Sequence, residues 1–137
     1  MSERERHLDR LAAECAQAVI RKTKGEKASD VDNLVTKALG VLQENGIYAC
    51  ALFLKSRPQA EKARADVVMA EMLGLLDGLG FGWGQPRSNR AEDVLQYISK
   101  KVTADNLERL LLAKETLEQM LIYARYGAKA RKAEKGE

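Results

Sequence analysis

The sequence predicts an all-α protein, a single-domain bundle of about six helices with a long C-terminal helix. Three observations predict it. Aromatic residues make up only 5% of the chain, and the 45% of apolar residues is rich in Leu and Ala, both good helix formers. Only 2 Pro interrupt the 137 residues. Apolar side chains recur at three- and four-residue spacing, the period of a helix face. The length suits one domain, 1–137, large enough to bury a real core.

The first helix is predicted over 3–22, with Leu8, Leu11, Ala12, Cys15 and Val19 on one stripe and Arg6, Arg10 and Gln17 opposite. The tract 22–28, centred on Gly25, breaks it. Ser29 and Asp32 form a capping-box-like pair, so the second helix is expected to begin at Ser29. Its stripe is Val31, Leu34, Val35, Ala38 and Leu42, and Asn45-Gly46 ends it, with Gly46 suited to a left-handed terminus. Residues 47–54 (IYACALFL) follow, apolar except for the hydroxyl of Tyr48. Ile, Tyr and Phe favour strands, but no partner strand is evident. The segment therefore reads as a short helix, apolar and buried all round, a central rod of the bundle.

Pro58 fits the first turn of a fourth helix. The expected stripe there is Ala60, Ala63, Val67, Ala70 and Leu73, and 78–84 (GLGFGWG) stops it. A fifth helix follows Ser88, with Ala91, Val94, Leu95, Ile98 and Val102 in register. Thr103 is the expected cap of the last helix, about 104–131. Its main stripe is Leu107, Leu110, Leu111, Leu117, Leu121 and Ala124, widened by Leu112, Met120 and Tyr123. The charged tail, about 131–137 (RKAEKGE), is expected to fray.

Few catalytic or metal-binding groups stand out. His7 is the only histidine, so a His-containing triad or metal cluster has little to build on. Cys15 and Cys50 are 35 residues apart in apolar stretches, without CxxC spacing, and read as reduced, buried thiols of a cytoplasmic protein. GLGFGWG lacks a GK[ST] ending and a preceding strand, and it alternates glycine with Leu79, Phe81 and Trp83. It reads as an inter-helix loop whose aromatics tuck into the bundle or meet a partner, rather than as a nucleotide cradle. The charged residues 2–10 argue against a signal peptide, and no apolar run reaches the roughly 20 residues of a membrane helix. The expectation is a protein with no enzymatic activity, no cofactor and no metal.

The net charge is +3, which nucleic acid tolerates but does not require. Lys55, Arg57, Lys62 and Arg64 cluster between the third and fourth helices. Lys100 and Lys101 close the fifth, and Arg109, Arg125 and Lys129 lie along the sixth. Such a set is either a solvated face or a path for a phosphate backbone. Lys55, Arg57, Arg125 and Lys129 are the candidate RNA contacts. The first two follow directly on the apolar helix, and the last two are four residues apart on one face.

Two segments carry a family resemblance. VTKALGVLQENGIYACALFLKSR resembles the small subunit of type III-B CRISPR RNA-guided effector (Cmr) complexes. That family shows Gln or Glu before Asn-Gly, then an apolar run ending near an aromatic, then Lys-Ser. These fall here on Gln43, Asn45, Gly46, Phe53, Lys55 and Ser56. KETLEQMLIYARYG resembles the family's C-terminal helix through Glu115, Leu117, Arg125, Tyr126 and Gly127. The family often has Trp where Ile122 stands and Lys where Ala124 stands. The resemblance covers 29–57 and 103–127 and leaves the middle of the chain poorly matched. It implies an all-α bundle without activity of its own, stacked as several copies beside a filament of backbone subunits. The guide RNA and target RNA would lie between the filaments, and other Cmr subunits would do the cutting. The alternatives are a helical DNA-binding regulator, disfavoured because the helix after Asn45-Gly46 is apolar rather than Arg-, Asn- and Gln-rich, and an oligomeric scaffold unrelated to CRISPR.

Overall fold

In the computed structural model, which describes residues 1–136, six helices surround one apolar core and no strand occurs among the described residues. Helix α1 spans Glu3–Lys22. The Ser2 hydroxyl accepts from the Glu5 backbone N–H at 3.1 Å, Glu3 and Glu5 lie in the first turn, and Arg21 and Lys22 lie in the last. Cap and charges thus both oppose the helix dipole. Helix α2 spans Ala28–Asn45 and starts one residue before the expected Ser29, with Lys27 at the cap and no side-chain capping bond. Its stripe from Val31 to Leu42 is buried as predicted.

Gly46 joins α2 to α3, Ile47–Lys55, in a single residue. Its φ of 96° and ψ of −176° belong to a region nearly closed to side chains. Its N–H donates to the Leu42 carbonyl at 3.0 Å and its carbonyl accepts from the Cys50 N–H at 3.1 Å. The segment is helical as expected but is not buried all round. Ile47, Cys50, Ala51 and Leu54 face the core, Phe53 is half-buried, and Tyr48 and Leu52 remain 42% and 48% exposed. The run of apolar residues conceals an ordinary two-faced helix on the flank of the bundle.

Helix α4, Gln59–Gly78, follows Pro58. Its predicted stripe holds only at Leu73, which is buried, and Val67, which packs partly buried against the core. Ala60, Ala63 and Ala70 are exposed, and the core side chains are Ala65, Val68, Met69, Met72, Leu75 and Leu76, with Leu73. The alanine methyl buries little apolar area compared with Met or Leu, so the methionines and leucines set the phase. After the glycine loop, α5 spans Ala91–Tyr97 and widens into a π turn, Ile98–Val102, closed by the Thr103 N–H on the Ile98 carbonyl at 2.9 Å. Helix α6 spans Leu107–Lys135 and is capped by Asn106, not Thr103, whose hydroxyl donates instead to the Ser99 carbonyl. Leu107 and Leu111 are 68% and 49% exposed. The buried face begins at Ala113 and continues through Leu117, Met120, Leu121, Ala124 and Ala128.

Side-chain pairings give the helix directions. Asp9 receives the Tyr123 hydroxyl, Ile20 abuts Gly127, and the Thr23 carbonyl receives Arg131, so α1 and α6 run parallel. Lys129 meets Asp32 and Lys114 meets the Gln43 carbonyl, so α2 runs antiparallel to α6. Lys22 meets Glu71 and Leu11 abuts Gly78, so α4 runs antiparallel to α1. A Cβ at Gly127 would stand 2.9 Å from Ile20 Cγ1, which explains glycine at this close approach of α1 and α6.

The tail does not fray at 131. The helix continues to Lys135, and Arg131 is 8% exposed. Its Nη1 donates to the Ile20 and Thr23 carbonyls at 3.2 and 3.1 Å, and its Nη2 to the Glu26 carbonyl at 2.9 Å. These carbonyls lie at the end of α1 and in its following turn, beyond the regular helical ladder; those of Ile20 and Thr23 also accept the Thr23 and Glu26 N–H groups at 3.4 and 3.0 Å.

Candidate nucleic-acid interface

The four predicted RNA contacts form two pairs, and each pair is engaged within the chain. Lys55 Nζ lies 3.3 Å from Asp66 Oδ1, with its side chain only 8% exposed. Lys62 reaches the other oxygen of Asp66 at 2.9 Å. Burial pushes the Asp66 carboxyl up, but the hydrogen bonds and charges of Lys62 and Lys55 outweigh it and hold the group below its usual range. The Arg57 guanidinium lies 4.0 Å from the Phe53 ring centroid, its Nε donates to the Phe53 carbonyl at 3.1 Å, and Glu61 stands 4.0 Å away. The same carbonyl accepts the Ser56 N–H at 3.2 Å and the Ser56 hydroxyl at 2.9 Å. The abrupt charged exit from α3 is therefore a helix terminus. Its polar groups close the last turn and lock α3 to α4.

Arg125 and Lys129 converge on Asp32 of α2, at 4.0 and 3.2 Å. Their side chains stay 40% and 45% exposed, so each retains a solvent-facing edge. Lys132 continues the stripe, seven residues beyond Arg125.

A second group of cations escapes sequence reasoning. The Arg131 bonds bring the end of α6 against the turn after α1, and Arg21, Lys24, Lys27, Lys132 and Lys135 share that end of the bundle. All five are exposed, and none has a carboxylate partner among the described residues. Glu26, the acidic residue in this turn, is held by Arg64 at 2.8 Å. The two lysine-rich runs are visible in the sequence, but their meeting depends on Arg131, which the charge pattern places in a frayed tail. Beside them, an open groove of about 570 Å³ runs between α1 and α6. Its floor is Ala13, Ala16 and Gly127, and Arg21 and Lys24 stand at one end.

The aromatics of the glycine loop tuck inward as expected. Trp83 is buried, its indole N–H donates to Asp105 Oδ2 at 2.7 Å, and Phe81 meets it edge-on at 5.0 Å. Among the described residues no group of three His, Cys, Asp or Glu side chains has metal-binding geometry, and no helix is long and apolar enough to cross a membrane. No protein-family model, no curated protein and no solved structure matches this chain.

Proposed function

We propose that this chain is a non-catalytic small subunit of a type III-B CRISPR RNA-guided effector complex, stacking with copies of itself beside the backbone subunit and helping to hold guide and target RNA. One observation carries the reading. The two segments that resemble the family, 29–57 and 103–127, fold against each other, because α2 and α6 form the most extensive helix contact in the molecule and α3 packs on α2. The resemblance thus follows one packed unit rather than two unrelated stretches. Exposed Tyr48, Leu52, Leu107 and Leu111 offer apolar surface suited to contacts between subunits.

The RNA contact belongs to backbone phosphates, since guide–target pairing supplies the sequence specificity. Arg125 and Lys129 remain in the proposed path through their exposed edges, with Lys132, Arg21, Lys24, Lys27 and Lys135 extending it. Lys55 and Arg57 serve the α3–α4 corner. The test is to reconstitute the complex with two sets of alanine substitutions, one at Arg125, Lys129 and Lys132, the other at Lys55 and Arg57, and to titrate target RNA across salt concentrations. The first set should lower the magnitude of the salt slope by about 0.7 for each phosphate that is no longer neutralised. The second should leave the slope unchanged and lower stability instead. Failure of the unaltered chain to assemble with the backbone subunit refutes the family reading. Assembly with an unchanged slope in the first set refutes the RNA path alone. The purified chain should show no RNA cleavage that tracks with it through successive columns.

A further inference from the structure

The middle of the chain, outside the family resemblance, contains a different cluster. A depression of about 220 Å³ opens between the segment after the glycine loop and the π turn. Gln85, Pro86 and Arg87 form one side, and Gln96, Lys100 and Lys101 the other. None of Arg87, Lys100 and Lys101 has a carboxylate within ion-pair distance among the described residues. The one carboxylate in the lining, Asp93, accepts the Ser88 hydroxyl at 2.6 Å.

Several cations elsewhere are matched to carboxylates from distant parts of the chain, as in Lys22–Glu71, Arg64–Glu26 and Lys129–Asp32. Here three like charges share one concavity, an arrangement that repels itself until an anion enters. The support is built rather than loose. Gly80, Gly82 and Gly84 take φ values of 81°, 76° and 65°, which bend the loop back, and the Tyr97 hydroxyl fixes it by donating to the Gly84 carbonyl at 2.9 Å. The π turn widens the helix where Lys100 and Lys101 stand. Such turns are rare and occur often at functional positions.

We propose that this depression is a phosphate-binding site for a small phosphorylated ligand. Arg87 supplies the planar fork that suits phosphoryl oxygens, and the two lysines supply mobile point charges. Gln96 offers an amide donor, Gln85 has one amide N–H left beside the one it donates to Asp77 Oδ2 at 3.4 Å, and Pro86 with the Tyr97 ring gives an apolar wall for the atoms that carry the phosphate. The glycine-rich loop thus does not cradle phosphate with its own backbone. It delivers Arg87 to a site completed by α5. The site stands independently of the RNA-guided reading.

The experiment uses the full chain and pyrophosphate, with ribose 5-phosphate as the organic monoester, in calorimetric titrations at constant ionic strength. Saturable binding is expected. Lys100→Ala with Lys101→Ala should weaken it by about tenfold or more, and Arg87→Ala should do likewise, each with an unchanged melting temperature in the absence of ligand. Arg6→Ala with Lys37→Ala, two exposed cations far from the depression in sequence, should leave it unaltered. Amide chemical-shift changes should centre on 85–87 and 96–101. Three results overturn the proposal: no saturation at constant ionic strength, equal weakening in the Arg6/Lys37 variant, or displacement of pyrophosphate by 5′-hydroxyl RNA at far lower concentration than by ribose 5-phosphate. The last would make the depression part of a polymer path.

Discussion

Arg131→Ala tests the closure of the C-terminal helix most directly. The guanidinium makes three hydrogen bonds of 2.9–3.2 Å to backbone carbonyls, and among the described residues no carboxylate lies within ion-pair distance of it. A hydrogen bond involving a charged group contributes about 1.5–3 kcal/mol net. The sum of three overstates the loss, because carbonyls at a helix end regain water once the side chain is removed. The buried Nε, which lacks a partner, also offsets part of the gain. The cation at the C-terminus of α1 adds about 0.3–1 kcal/mol through the helix dipole. The expected destabilisation is about 2–4 kcal/mol. In urea, followed by circular dichroism and by the fluorescence of the single tryptophan, Trp83, the midpoint should fall by about 1–2 M at unchanged slope. Truncation after Ala130 should cost as much, and Arg131→Lys should recover less than half, since one ammonium cannot span three carbonyls in the same geometry. A loss below about 0.5 kcal/mol for Arg131→Ala refutes the capping argument and restores a frayed tail.

Phe53→Ala should cost about 1–2 kcal/mol in the same assay, below the range for a fully buried phenylalanine, because the ring is half-buried and stacks on Arg57. A loss above about 3 kcal/mol would place it in the core. Asp105 is held below its usual range first by the Trp83 indole hydrogen bond, then by the Asn106 backbone and Arg109. A depressed folded pKa stabilises above the unfolded value, near 3.9, and that contribution is lost as pH falls through the lowered pKa. Trp83 emission should therefore stay flat from neutrality to about pH 4 and change below it, and Asp105→Asn should abolish that transition. Burial pushes the Cys50 thiol up to about 12, and burial with Glu71 and Glu14 pushes Cys15 up to about 11. At pH 8 neither thiol should react with an aromatic disulfide reagent in the native protein, and both should react in denaturant.

The elements legible in the sequence are those with bulky side chains in phase. Val31, Leu34, Val35 and Leu42 identify their buried face without help, and Ser2 to Lys22 carries its own termini. Helix α4 defeats the same reasoning because Ala60, Ala63 and Ala70 imitate a stripe that Met69 and Met72 actually define. Capping residues are misplaced at α2 and α6, where competing Ser, Thr and Asn side chains lie within a few residues of each other. The charge of Lys55 and Arg57 is visible in the sequence, but their engagement is not. Whether a cation is free depends on Asp66, Glu61 and Phe53 lying close in space, and hydrophobic periodicity carries no information on that. Arg131 is the sharpest case, since its partners lie more than 100 residues earlier.

The order in which the helices are made has its own consequence. The two largest helix contacts both involve α6, the last helix to be synthesised. When α2 has just been completed, roughly 90 residues remain before α6 is finished. At about 5–20 residues per second, that delay is roughly 5–18 s. Throughout it, the faces of α1 and α2 that later meet α6 have no permanent cover. A helical protein built from local pairs can settle as it emerges, but this one must wait for its final thirty residues. Premature termination inside α6 should therefore leave an aggregation-prone chain rather than a shortened bundle.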